Sequence, residues 1–75
     1  MVNCGYEIIC EFWLEQYERG FVVGYNKNKN EYVVWDWDKN TNSYFWGHYF
    51  LKKDDAIKTF RDCINYTLKN TYFNN

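Results

Sequence analysis

Seventy-five residues make one domain, 1–75, close to the lower limit at which a hydrophobic core holds a fold without metals or disulfides, and they exclude a second domain. Six Phe, four Trp and eight Tyr supply most of the apolar surface, so any ring left exposed calls for a partner or a dimer interface. The formal charge of −1 hides an asymmetry, seven acids against three bases in residues 1–38 and six bases against three acids in residues 39–75; it argues against a dedicated duplex-DNA binder and suits docking onto a basic surface.

Residues 6–15 alternate with a period of two, placing Tyr6, Ile8, Cys10, Phe12 and Leu14 on one side and Glu7, Glu11 and Glu15 on the other with Ile9 and Trp13, which predicts a strand. The same residues fit a helix, because Glu7, Glu11, Glu15 and Glu18 also form a helical stripe that Arg19-Gly20 could stop, and both readings stand. A β-branched, glycine-bounded run predicts a strand at 20–25, followed by the Asn26–Asn30 loop. Strands at 31–37 and 43–51 are joined by the polar turn 38–42 into a hairpin. From Lys53 the period changes: Ile57, Phe60, Ile64 and Leu68 recur every three or four residues and predict a helix over 54–69, with Asp54 as N-cap and fraying from Asn70. The expected fold is α+β, a small antiparallel sheet of three to four strands followed by one C-terminal amphipathic helix packed on one face.

Strict alternation through the hairpin groups Val33, Trp35 and Trp37 with Tyr44, Trp46, His48 and Phe50, against Tyr32, Val34, Asp36, Phe45, Gly47 and Tyr49. Both faces are apolar, and one helix covers one of them. Either the N-terminal segment folds over the second face, or the chain dimerises through it, or it is a docking surface.

The odd set Cys4, Cys10 and Cys63 has no CxxC pair and the N-terminus has no leader pattern, so a cytoplasmic protein with free thiols and no cofactor is expected. No apolar run approaches the ~20 residues of a membrane span. Asp36 and Asp38 flank Trp37 as a carboxylate pair at a strand end, without further ligands for a metal. His48 is the only histidine and Ser43 the only serine, which leaves no catalytic triad. A non-enzymatic protein is expected.

The run Tyr32-Val33-Val34-Trp35, a polar turn, then Tyr44-Phe45-Trp46-Gly47-His48-Tyr49-Phe50 and a helix opening Asp55-Ala56-Ile57 resembles small uncharacterised proteins of low-GC bacterial mobile elements and phages. In size, acidity and lack of a catalytic signature the chain is similar in style to phage-encoded anti-CRISPR inhibitors, a class that no motif defines. That resemblance implies a protein that blocks a nucleic-acid-targeting defence system in the host cell cytoplasm. The expected partner is a basic protein or nucleoprotein complex, met by Glu7, Glu11, Glu15, Trp13, Trp35 and Trp46. The alternative is a single-stranded nucleic-acid module using Tyr44 and Trp46 as stacking rings and Lys52, Lys53, Lys58 and Arg61 as phosphate contacts. A structural homodimer through an aromatic face is a third expectation.

Overall fold

A computed structural model of the chain describes residues 1–72, with side chains through residue 70. Strands β1 (Val2–Asn3), β2 (Tyr6–Leu14), β3 (Arg19–Asn26), β4 (Glu31–Asp38) and β5 (Ser43–Phe50) form one antiparallel sheet in chain order, and helix α1 (Lys53–Tyr72) follows. The sheet therefore has five strands where three to four were expected. The addition is β1, which doubles back because Cys4 and Gly5 take φ of 52° and 84° in a two-residue turn, setting Val2 opposite Glu7 and Asn3 opposite Tyr6.

Of the expected 6–15, residues 6–14 resolve as a strand: β2 pairs from Glu7 to Leu14 with β3, where the β-branched and aromatic side chains of Ile8, Phe12 and Trp13 suit a pleated surface. A 3-10 turn, Glu15–Tyr17, connects the two. The strands expected at 20–25, 31–37 and 43–51 lie within one residue of β3, β4 and β5 at each end. Helix α1 starts one residue before the expected 54–69, so Asp54 lies inside the first turn and is not the N-cap. Asp54 and Asp55 both sit in its first turn, where their charge faces the unpaired N–H groups. Asn70, expected to be frayed, is still helical, and its Nδ2 donates to the Tyr66 carbonyl at 2.8 Å; residues 73–75 lie outside the described residues.

Two β-bulges decide which side chains share a face. Ile8 opposes Gly24 and Cys10 opposes Val23, leaving Ile9 extra in β2; Phe45 opposes Asp36 and His48 opposes Val34, so Trp46 and Gly47 together face Trp35. An inserted residue flips everything beyond it to the other side. Strict alternation is thus corrected at both places. Tyr6 and Ile8 share a face with Trp13 while Cys10 and Phe12 lie opposite, and Tyr49 joins Trp35 while His48 and Phe50 move to the helix side.

The helix side is built on Val23, Val34 and Ala56, with Cys10, Tyr32, Phe50, Ile57 and Phe60 packed around them. The other side gathers Tyr6, Val22, Val33, Trp35 and Trp37, flanked by Ile8, Trp13 and Tyr44. No helix covers this second cluster; the sheet curls over it instead. Tyr6 of β2 and Tyr49 of β5 stand three strands apart, about 14 Å in a flat sheet, yet their ring centroids are 6.1 Å apart. The result is a curled half-barrel lined by edge-to-face rings: Tyr6–Trp35 at 5.5 Å, Trp13–Trp37 at 5.8 Å and Trp35–Tyr44 at 5.4 Å.

Gly20 is where this lining comes closest to the backbone. A Cβ there would stand 2.5 Å from the Phe12 carbonyl oxygen and 2.7 Å from the Trp13 ring. Gly20→Ala is expected to destabilise the fold by about 1–3 kcal/mol and to lower the melting temperature by about 4–8 °C per kcal/mol, read by circular dichroism. A second expectation concerns alkaline pH. The buried Tyr6 hydroxyl donates to the Glu31 carboxylate, and that hydrogen bond, reinforced by burial and by the Glu31 charge, pushes its pKa up from 10.0 to about 12. The folded state holds the proton more tightly than the unfolded chain, so this stabilisation is complete below about pH 10 and disappears as pH rises through about 12. Tyr6→Phe should flatten that alkaline loss in urea midpoints measured against pH, relative to the parent chain.

Candidate protein-docking surface

The residues expected to meet a partner do not come together. Trp35 is 6 % exposed and belongs to the core. Trp13 is half-buried and its Nε1 donates to Glu15 Oε2 at 2.6 Å, so both are engaged within the chain. The Ile9 bulge breaks the glutamate row: Glu7 pairs across from Tyr25 and Glu11 across from Val22, residues on opposite faces of β3. Glu18 is held at the far end of the sheet, where it accepts from Asn40 Nδ2 at 2.9 Å. Of the expected set, only Trp46 offers a large open apolar surface, 77 % exposed.

The nucleic-acid set is also divided. Tyr44 is half-buried against Trp35, and its hydroxyl donates to Asn42 Oδ1 at 3.2 Å. Burial first, and the Glu11 carboxylate second, push the Tyr44 pKa up. Lys52, Lys53, Lys58 and Arg61 are all exposed, but Lys58 pairs with Asp62 at 3.1 Å, and Asp54 and Asp62 line the same helix groove as Lys58 and Arg61. The carboxylates of Asp36 and Asp38 have local work: Asp36 meets Arg19 at 3.3 Å, and Asp38 accepts from the backbone N–H of Asn40 and of Thr41 to close the β4–β5 turn. All three cysteines are free thiols. Burial, then the charges of Asp36 and Asp62, push the Cys63 thiol up, so it stays protonated at neutral pH. Among the described residues no group of three or more His, Cys, Asp or Glu gathers as a metal site, and no helix is long and apolar enough to cross a membrane.

A different surface emerges at the end of the sheet. Strand β5 is the last in order, so its outer edge pairs with no strand among the described residues. Residues 43–51 carry no Asp, Glu, Lys or Arg. Phe45 is 49 %, Tyr49 53 % and Leu51 76 % exposed beside Trp46, with His48 exposed among them. Sheet edges are ordinarily blunted by charge, proline or twist. At the other end of the sheet the two-residue β1 pairs only with the start of β2, and the rest of β2 follows that rule, with the exposed Glu11 along it and Glu15 just beyond its end. In β5 only the bulge interrupts an otherwise uncharged, ring-rich edge. Phe45, His48, Tyr49 and Leu51 were not among the expected site residues; the available signal was the long uncharged run ending just before Lys52.

Trp46 is the first residue of that bulge and holds φ of 55°, left-handed backbone that glycine adopts freely and a bulky side chain does not. Gly47 follows it, and a Cβ there would lie 2.9 Å from the Trp35 Nε1. Trp35 thus packs down onto the bulge while Trp46 projects away from it. A large ring sits in strained backbone without burial inside the chain, which points to a use outside it.

No protein-family model, no curated protein and no solved structure matches the chain. If Trp46 is retained for contact rather than for the fold, replacing it relieves strain. Trp46→Gly is expected to stabilise the domain by about 1 kcal/mol, seen as a higher urea midpoint at unchanged slope.

Proposed function

We propose that the chain is a non-enzymatic protein-binding domain that docks through the rim of β5, with Trp46 as the anchor, Phe45 on the helix side of the strand, Tyr49 on the other side and Leu51 just past its end. One observation carries this reading: four large apolar side chains, each about half or more exposed, lie along an uncharged sheet edge. Aromatic anchors of this kind dominate the energy of protein interfaces, and an open strand edge adds backbone hydrogen bonds to them. In its narrowest form the reading is an inhibitor, encoded by a phage or mobile element, of a bacterial nucleic-acid-targeting defence complex. Small size and the resemblance in style support that form. The dispersed glutamates no longer do, so recognition rests on ring contact. The nucleic-acid alternative draws less support, because Tyr44 is half-buried and the basic cluster is interspersed with Asp54 and Asp62.

The test compares three immobilised, folded forms of the chain in bacterial lysate: the parent, Phe45→Ala/Trp46→Ala, and Glu7→Lys/Glu11→Lys/Glu15→Lys. A protein retained by the parent and the glutamate variant but lost from the aromatic variant is the expected result. Retention that depends on the glutamates and ignores the rings would reverse the assignment of the surface.

A further inference from the structure

We propose that the cleft between the second half of α1 and the sheet is a binding site for a small, flat, uncharged molecule of one or two fused rings. The cleft lies on the helix side of β3 and β4 and shares no residue with the docking rim.

The space comes from a change in side-chain size along the helix. In its first turns α1 meets the sheet through Ala56, Ile57 and Phe60, which close against Val23 and Val34. Beside that contact run Thr59, Cys63 and Thr67, each one turn from the next and therefore on one stripe. These three short side chains and the Phe21 ring, only 2 % exposed, line a cavity of about 330 Å³ whose walls are mostly apolar. Protein interiors are packed as densely as organic crystals, and atoms that face a gap lose their dispersion contacts. A chain of 75 residues has few such contacts to spare, and an occupant of the cleft supplies them.

Volume, charge and shape select that occupant. Small molecules are held in spaces of about 300–1,000 Å³; this cleft is at the low end, which suits one or two rings and excludes a nucleotide. Each carboxylate at the mouth is matched by a base, Asp36 by Arg19 at 3.3 Å and Asp62 by Lys58 at 3.1 Å. The Cys63 wall is a protonated thiol. The walls thus carry no net charge, and an ion would lose its hydration without a partner. Flatness follows from Arg19, whose guanidinium lies over the Phe21 ring, 5.5 Å from its centroid, while its side chain stays 55 % exposed. A planar ring stacks on such a group. Tyr66 also lines the cleft with 71 % of its surface in water, so an occupant covers part of a second ring.

Titrating the intact, nitrogen-15-labelled chain with indole and following its amide resonances tests the proposal. The expected result is saturable shifts centred on Phe21, Thr59, Cys63 and Thr67, with half-saturation on the order of 1 mM or tighter. Cys63→Leu fills the cleft from the helix and should weaken binding about tenfold or more in a chain that circular dichroism shows to be folded; Thr59→Leu fills it from the preceding turn and should do the same. Benzoate and benzylamine, ring compounds of opposite charge, should each bind more weakly than indole. Shifts that do not saturate, shifts gathered along β5, binding indifferent to the filling variants, or a preference for either charged ring overturns the proposal. The docking reading is tested separately, by lysate capture through the rim.

Discussion

The contact of Tyr6 with Tyr49 across the curl of the sheet is the constraint from which the rest follows. Rings on β2, β4 and β5 lie on one face, and withdrawing each from water is worth about 1.5–3 kcal/mol, with about 0.5–1.5 kcal/mol more for each edge-to-face pair. The Arg19–Asp36 and Lys58–Asp62 ion pairs, both at the surface, contribute about 0–1 kcal/mol each. Ring burial therefore decides the shape. A flat sheet would leave Trp35 and Trp37 in water, whereas a curled one closes over them and leaves only its outer face for α1 to cover.

Close packing of rings onto backbone is what permits so tight a curl. Trp13 lies against Gly20, and Trp35 lies against both Gly24 and Gly47, closely enough to leave no room for a Cβ without a shift of the neighbours. The bulge in β5 belongs to the same arrangement, since it lets Trp35 settle on Gly47 and turns Trp46 outward. One local feature thus completes the interior and creates the most exposed ring of the molecule. The two ends of the open sheet consequently differ in kind: the stretch of β2 beyond the short β1 presents Glu11 and runs out at Glu15, whereas β5 presents aromatics, and docking is assigned to the edge that charge does not guard.

Much of the architecture was legible because hydrophobic periodicity survives without tertiary context. The alternation at 31–37 and 43–51 and the change to helical spacing at Ile57, Phe60, Ile64 and Leu68 located three elements closely. Strand β1 was not legible, being two residues long and held by pairing with β2 rather than by any pattern of its own. Residues 6–15 fitted two periods at once, and the choice fell to β3, whose backbone groups β2 satisfies. At the candidate site Trp46 was named from sequence, but Trp13 and Trp35 are engaged inside the chain, and the neighbours that surround Trp46 depend on a register that alternation cannot supply.

By itself the sequence determined an aromatic-rich α+β domain with its helix last, since length, ring content and the two periodicities are properties of the chain alone. Only the tertiary structure decided which rings are interior and which remain open. The physical reason is the bulge: a single extra residue at Ile9 and another at Trp46–Gly47 reverse the facing of everything beyond them, and such insertions are selected by the fit of Trp35 and Tyr6 across strands far apart in sequence. The glutamate row was broken by the first bulge, and the docking rim was made by the second.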